Sequence, residues 1–144
     1  MFSKACEYGI KAAIYIAEQS PHEKKVSLKE VAQAIESPEA YTSKILQQLS
    51  RNNIINSHKG PKGGFSMDNL ALETVKLSTI VSAIDGDSIY RGCGLGLKQC
   101  NEKLPCPVHE QFKEIRNELK DMLESTTIKS LAARVRNGAT VLKR

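Results

Sequence analysis

The stretch Ser57-His-Lys-Gly-Pro-Lys-Gly-Gly-Phe65 gathers three glycines and a proline between the apolar Ile54 and Ile55 on one side and Phe65 on the other. No helix tolerates so many breakers, and two strand-forming runs around a glycine-rich reversal predict a β-hairpin. Gly60, Gly63 and Gly64 permit the positive backbone angles that such a turn needs. Lys59 and Lys62 stand at its tip with little apolar surface to cover, a form suited to pressing a cation into a narrow groove. Glycine-rich loops also cradle nucleotide phosphates, but the Walker pattern and the strand-loop-helix context are both missing.

What precedes the hairpin narrows its meaning. Lys4 to Glu18 carries Ala5, Cys6, Ile10, Ala13, Ile14 and Ala17 at helical spacing and stops before Ser20-Pro21, which predicts a long core helix with Cys6 as a small buried hydrophobe. Ser27-Leu-Lys-Glu30 is a capping box, in which the serine hydroxyl takes an orphan N–H and the glutamate reaches back to the cap. Leu28, Val31, Ala32 and Ile35 follow with the period of a short amphipathic helix. Ser37-Pro38-Glu39 offers a cap, a proline at the first helical position and an acid in the first turn, opening a third helix to about Arg51. Its buried face is Tyr41 or Thr42 with Ile45, Leu46 and Leu49. Two short helices around a tight turn predict a helix-turn-helix, and a hairpin directly after it is a wing. The fold class expected is therefore mainly α with a small β-hairpin wing, a winged helix-turn-helix spanning 1–86.

Charge agrees with that geometry. The net charge of +5 is modest, but no acid occurs from Ala40 to Met67, where Lys44, Arg51, Lys59 and Lys62 stand. None occurs from Thr126 to Arg144 either, a tail with Lys129, Arg134, Arg136, Lys143 and Arg144. Two basic segments flanking a slightly acidic middle suit a polyanion such as double-stranded DNA, and also fit solvated faces. The 144 residues hold no apolar run long enough for a membrane span and no basic-then-apolar leader, so a cytoplasmic protein with no membrane partner is expected. His22 has no ligand neighbours and reads as loop surface.

The second half brings different chemistry. Leu77, Ile80, Val81 and Ile84 predict a short helix over 78–86. Cys93, Cys100 and Cys106 follow in a glycine-containing loop, 87–107, with His109 three positions after the last. A chain able to bury an ordinary core, with no export signal, has little need of structural disulfides. Zinc sites usually carry a close Cys-x-x-Cys pair, but here six residues separate Cys93 from Cys100 and five separate Cys100 from Cys106. That wide spacing suits a bulkier iron-sulfur cluster. Val108, Phe112, Ile115, Leu119 and Met122 then recur at spacings of four and three, a heptad-like seam for a homodimer within 108–144, the dimerisation helix and basic tail.

The segment Ser27 to Phe65, above all Ser57-His-Lys-Gly-Pro-Lys-Gly-Gly-Phe65, closely resembles the winged-helix repressors of the IscR, NsrR and CymR family, the Rrf-two family (Rrf2). The resemblance extends from Tyr8-Gly9 to Thr127-Ile-Lys-Ser-Leu131. It implies a homodimeric repressor whose third helix enters the major groove while the wing reaches the minor groove. Tyr41, Thr42, Ser43 and Lys44 would then meet base edges or phosphates, with His58, Lys59, Gly60 and Lys62 serving the wing. It further implies that the three cysteines hold a two-iron or four-iron cluster that senses iron-sulfur supply, nitric oxide or redox state. His109 matches the IscR-like fourth ligand; Glu7, beside Tyr8, matches the place where NsrR-like proteins carry an aspartate reaching the cluster from the partner subunit. The gap between Cys93 and Cys100 is one residue longer than the common IscR pattern.

Other classes are open to test. A cluster-free repressor would use the same cysteines as thiol switches or for zinc, and a small electron carrier would use the cluster but leave the reading head unexplained. Catalysis has no support, since Cys106 and His109 lack an orienting third group and no paired carboxylates or hydrolase motif occur.

Overall fold

The computed structural model describes residues 1–22 and 24–144; the side chain of His22, read above as loop surface, lies outside the described residues. The chain runs through α1 (Lys4–Gln19), α2 (Leu28–Ala34), α3 (Glu39–Arg51), β1 (Asn56–His58), β2 (Gly64–Ser66), α4 (Asn69–Thr74), α5 (Leu77–Asp85), α6 (Ser88–Arg91), α7 (His109–Ser125) and α8 (Ile128–Arg136). The architecture is mainly helical with one antiparallel hairpin, a winged helix-turn-helix.

Ser3 opens α1 by accepting the Cys6 N–H at 3.0 Å, and Asp85 at the end of α5 holds Ser3 in turn, accepting its N–H at 3.0 Å. The inward face of α1 is rich in small residues, Gly9, Ala12, Ala13 and Ala17. These let neighbouring helices come close: a Cβ on Gly9 would overlap Ile84 Cδ1 of α5. Cys6 is fully buried, and its thiol is pushed up to about 12, first by burial and then by the Asp85 charge, so it behaves as a small hydrophobe.

Several boundaries differ from the sequence expectation for local reasons. Ser27 caps α2, accepting the Glu30 N–H at 3.1 Å, but the Glu30 carboxylate turns to Lys24 at 3.4 Å and leaves the capping box half made. Pro38, not Ser37, is the N-cap of α3, because the Ser37 hydroxyl is engaged by the Thr42 hydroxyl. In the wing, Gly60 and Gly64 have φ of 95° and 141°, whereas Gly63 does not need a positive angle. Its requirement is close approach, since a Cβ there would overlap the His58 carbonyl oxygen. The hairpin pairs Ser57 with Phe65, and Phe65 also exchanges backbone bonds with Val26 at 2.9 and 2.8 Å, which fixes the wing to the segment before α2.

Within the expected basic tail, Ile128–Arg136 forms the helix α8, packed along α1. Ile128 and Ala132 are buried in the main core with Leu131 and Val135 beside them, a helical stripe that outweighs the charges between. A short antiparallel bridge, Leu77 N–H to Thr126 O and Ile128 N–H to Val75 O at 3.0 Å each, ties the end of α7 to the start of α5.

Gly9→Ala gains about 1 kcal/mol of helix propensity in principle, yet the overlap with Ile84 should make it a net loss in urea unfolding. Pairing it with Ile84→Val should recover part of that loss. A Gly9→Ala variant more stable than its parent would contradict the close approach.

Candidate functional site

Two sites emerge, a reading head at α3 and the wing, and a cysteine loop folded against α7. On α3 the amphipathic period turns Thr42, Ile45, Leu46 and Leu49 inward. Thr42 is 0% exposed and its hydroxyl donates to the Pro38 carbonyl at 2.8 Å, so it is withdrawn from the set of expected DNA contacts; it sets the start of the helix instead. Tyr41 lies at the surface, stacked edge-on against Tyr8 of α1 with ring centres 5.6 Å apart. Lys44 is exposed and Ser43 half-buried. Gln47, one turn after Ser43, is exposed on the same face and lines a shallow groove with Ser43, Ser50, Arg51, Ser57 and Phe65 between α3 and the hairpin. Sequence reasoning missed Gln47, although its i,i+4 relation to Ser43 marks it.

The wing tip carries Lys59, Gly60 and Lys62 in solvent, closed by a Gly63 N–H bond to the Gly60 carbonyl at 2.9 Å. His58 is half-buried, its Nε2 2.8 Å from Ser66 Oγ, which makes it a brace across the hairpin base.

In the loop, all three cysteines are free thiols. The backbone amides of Leu95 and Leu97, ahead of the Cys106 side chain and the Gly96 amide, favour the thiolate and hold the Cys93 thiol below its ordinary value. Gly96 makes the turn that aims these amides, with φ of 74°. Cys100 lies 3.4 Å from His109 Nδ1 and accepts from Arg116 Nη2 at 3.3 Å, while Arg116 Nη1 donates to the Gly92 carbonyl. Cys100 and His109 thus stand as a pair, and one guanidinium ties Cys100 to the Gly92 carbonyl next to Cys93. Among the described residues, no three His, Cys, Asp or Glu side chains are gathered as a single-ion site.

His109 is 4% exposed, and its Nε2 is buried without a hydrogen-bond partner. Such a nitrogen is costly to bury unused. Three thiols and a buried imidazole beside one of them are donors of the kind iron-sulfur clusters take, and on that chemistry the residues fit the group. Glu7 is more than one-third exposed and pairs with Lys4 at 3.3 Å; among the described residues no contact joins it to the thiols.

Sequence reasoning did not foresee what folds the loop down. Lys113 pairs with Glu102 at 2.8 Å, and the Phe112 ring lies so close over Gly94 that a Cβ there would overlap it. His109, Phe112, Lys113 and Arg116 share one face of α7 at spacings of three, four and seven, a signal hidden beneath the apolar seam. Within that seam Phe112, Ile115 and Met122 remain 37%, 56% and 44% exposed, Val108 and Leu119 are half-buried, and the neighbouring Leu123 is fully buried against Cys6, Leu77 and Val81.

Comparison with known proteins bears on these sites. The profile of the Rrf2 family, described as an iron-dependent transcriptional regulator, matches residues 2–134. A protein of Aquifex aeolicus assigned as an HTH-type transcriptional regulator is 34% identical over 136 residues, covering 91% of this chain and 90% of its own. Among solved structures, the global cysteine regulator CymR of B. subtilis superposes with a TM-score of 0.74 at 23% identity, covering 92% of this chain and 96% of that one. IscR of T. potens gives a TM-score of 0.73 at 17% identity over 98% and 92% of the two chains. The last two likenesses speak to the fold alone; the profile and the Aquifex relative, each spanning most of the sequence, establish that this chain belongs to the Rrf2 family, a family of transcriptional regulators and not of enzymes.

Proposed function

We propose that the chain works as a cytoplasmic homodimeric repressor that binds double-stranded DNA and senses iron-sulfur status, nitric oxide or redox state through a cluster in the cysteine loop. The observation that carries this reading is the fold of the loop: Cys100 lies 3.4 Å from Nδ1 of the buried His109, on the helix that also bears the exposed apolar seam, with Cys93 and Cys106 in the same loop. Cys93, Cys100, Cys106 and His109 would hold the cluster. His109 is favoured over Glu7 because its ring is buried beside Cys100, while Glu7 is exposed and paired with Lys4. When bound, the cluster supplies one-electron and ligand-exchange chemistry at iron. The protein keeps the loop on α7, with Arg116 donating to the Cys100 sulfur, a contact of the type that tunes such centres.

For reading DNA, Ser43, Lys44 and Gln47 face outward from α3 and Lys59 and Lys62 reach from the wing. Tyr41, Gly60 and His58 shape that surface. Dimerisation through Phe112, Ile115, Leu119 and Met122, with Val108 at the helix start, would cover the exposed seam. No described helix is long and apolar enough to cross a membrane.

A cluster-free thiol switch has one observation in its favour, the free thiols of Cys93, Cys100 and Cys106 in one loop. The electron-carrier reading has none, since it leaves the reading head idle.

Lys59→Ala should weaken DNA binding on every sequence and lower the salt slope by about 0.9 per protomer, the share of one neutralised phosphate each. An unchanged affinity at all salt concentrations would remove the wing from the interface. Gln47→Ala, in contrast, should relax preference at one base position, by roughly 1–3 kcal/mol, in a competition between site variants. Cys100→Ala should lose cluster incorporation on anaerobic reconstitution while retaining the parent's circular dichroism; a normal cluster spectrum in that variant would rule Cys100 out as a ligand.

A further inference from the structure

The basic residues that follow α8 have no place in the reading head described so far. Asn137 caps the end of α8, and Gly138 takes a left-handed φ of 79° with its N–H on the Val135 carbonyl at 3.1 Å. Ala139 and Thr140 both return to the Arg134 carbonyl, at 3.0 and 3.2 Å. This turn sends the chain back across α1, where Leu142 is half-buried against the main core. Leu142 thereby fixes where Lys143 and Arg144 stand. They line an open polar cleft with Lys4, Tyr8, Lys11 and Glu36, and Lys143 also lines the adjoining hollow with Ser37 and Glu39 at the front of α3.

Charge in the cleft is not self-compensated. Lys4 is taken by Glu7 at 3.3 Å, and Glu36 and Glu39 border it, but among the described residues no ion pair engages Lys11, Lys29, Lys143 or Arg144. Lys11 is held in position, its Nζ 3.4 Å from the Ile35 carbonyl and 4.8 Å from the centre of the Tyr8 ring. Tyr8 in turn meets Tyr41 on α3. The cleft is therefore continuous with the end of α3 that enters the groove in helix-turn-helix proteins. Its polar, cationic lining is wrong for an apolar ligand and right for a phosphodiester.

We infer that Lys11, Lys143 and Arg144, set in place by the Gly138 turn and the Leu142 anchor, form a second DNA-backbone contact beside the front of α3, separate from the wing. It rests on the DNA-binding reading above. A phosphate held here fixes the angle at which α3 lies in the groove, a register that the wing alone, attached at the other end of the helix-turn-helix unit, leaves free to pivot.

The test is the salt dependence of binding to a fluorescently labelled duplex of mixed sequence, for the full chain and for Lys59→Ala, Lys143→Ala/Arg144→Ala and Leu142→Ser variants whose melting curves match the parent's. The double variant should lose about 1.8 from the slope per protomer, about 0.9 for each cation. Leu142→Ser, which keeps both charges but frees the segment, should also lower the slope. An unchanged slope in the double variant, with Lys59→Ala still reduced, would overturn this contact and spare the wing. A parent that fails to bind the duplex would overturn the reading beneath both. A parallel titration with inorganic phosphate at constant ionic strength separates the sources: phosphate binding abolished in the double variant without a change in DNA slope would make this a free-anion site and overturn the DNA contact.

Discussion

Everything in this molecule leans on the small-residue face of α1. With Gly9, Ala12, Ala13 and Ala17 turned inward, α3, α5 and α8 can all lie against one helix. The cost of a bulkier side chain is packing strain in a core at near-crystalline density. Because α1 is the common floor, the orientations of the reading helix, the joining helix and the last helix are set by one surface. Asp85 fastens the top of that arrangement to Ser3, and the Tyr8–Tyr41 contact fastens its side to the front of α3.

The same floor supplies a physical route between the two sites. The cysteine loop is held on α7 by Arg116, Lys113 and the Phe112–Gly94 contact; α7 reaches the interior through Leu123, packed with Cys6 of α1 and with Leu77 and Val81 of α5. Under the proposed function, a change in the loop that shifts α7 would act on α5 through these contacts, and α5 in turn packs on α1 and α3. Coupling of this kind needs a difference in affinity between two arrangements, typically about 1–3 kcal/mol. Breaking a few of the loop's hydrogen bonds and ion pairs is of that order. The exposed seam on α7 adds a lever, since a dimer would convert small movements of that helix into the spacing of two reading heads.

Much of this is legible in the sequence where one physical cause dominates. The Ser27 cap, the hairpin around Gly60 and the length of α1 each follow from a local rule with no competitor. Sequence and structure part where two rules meet. Periodicity alone leaves Tyr41 and Thr42 equivalent at the boundary of the α3 core face; the Tyr8 ring and the Pro38 carbonyl, neither of them part of that pattern, decide which is inside. In the segment after α7 the charges draw the eye, although Ile128, Leu131, Ala132 and Val135 spell a buried stripe at helical spacing. The pairing of Cys100 with His109 has no sequence signature, because a loop's closure depends on what it folds against. Arg116 is hidden for the same reason: its partners are a thiol and a carbonyl far away in the chain.

If Cys93, Cys100, Cys106 and His109 hold an iron-sulfur cluster, the metal content of the native protein must show it. Anaerobic purification followed by iron, acid-labile sulfide and zinc quantification on one sample, with its visible spectrum, is the decisive measurement. Iron and sulfide together, with cluster absorption, are the expected result. Zinc alone, or free thiols without metal, would contradict the cluster and move the sensing chemistry to the Cys93 and Cys106 thiols.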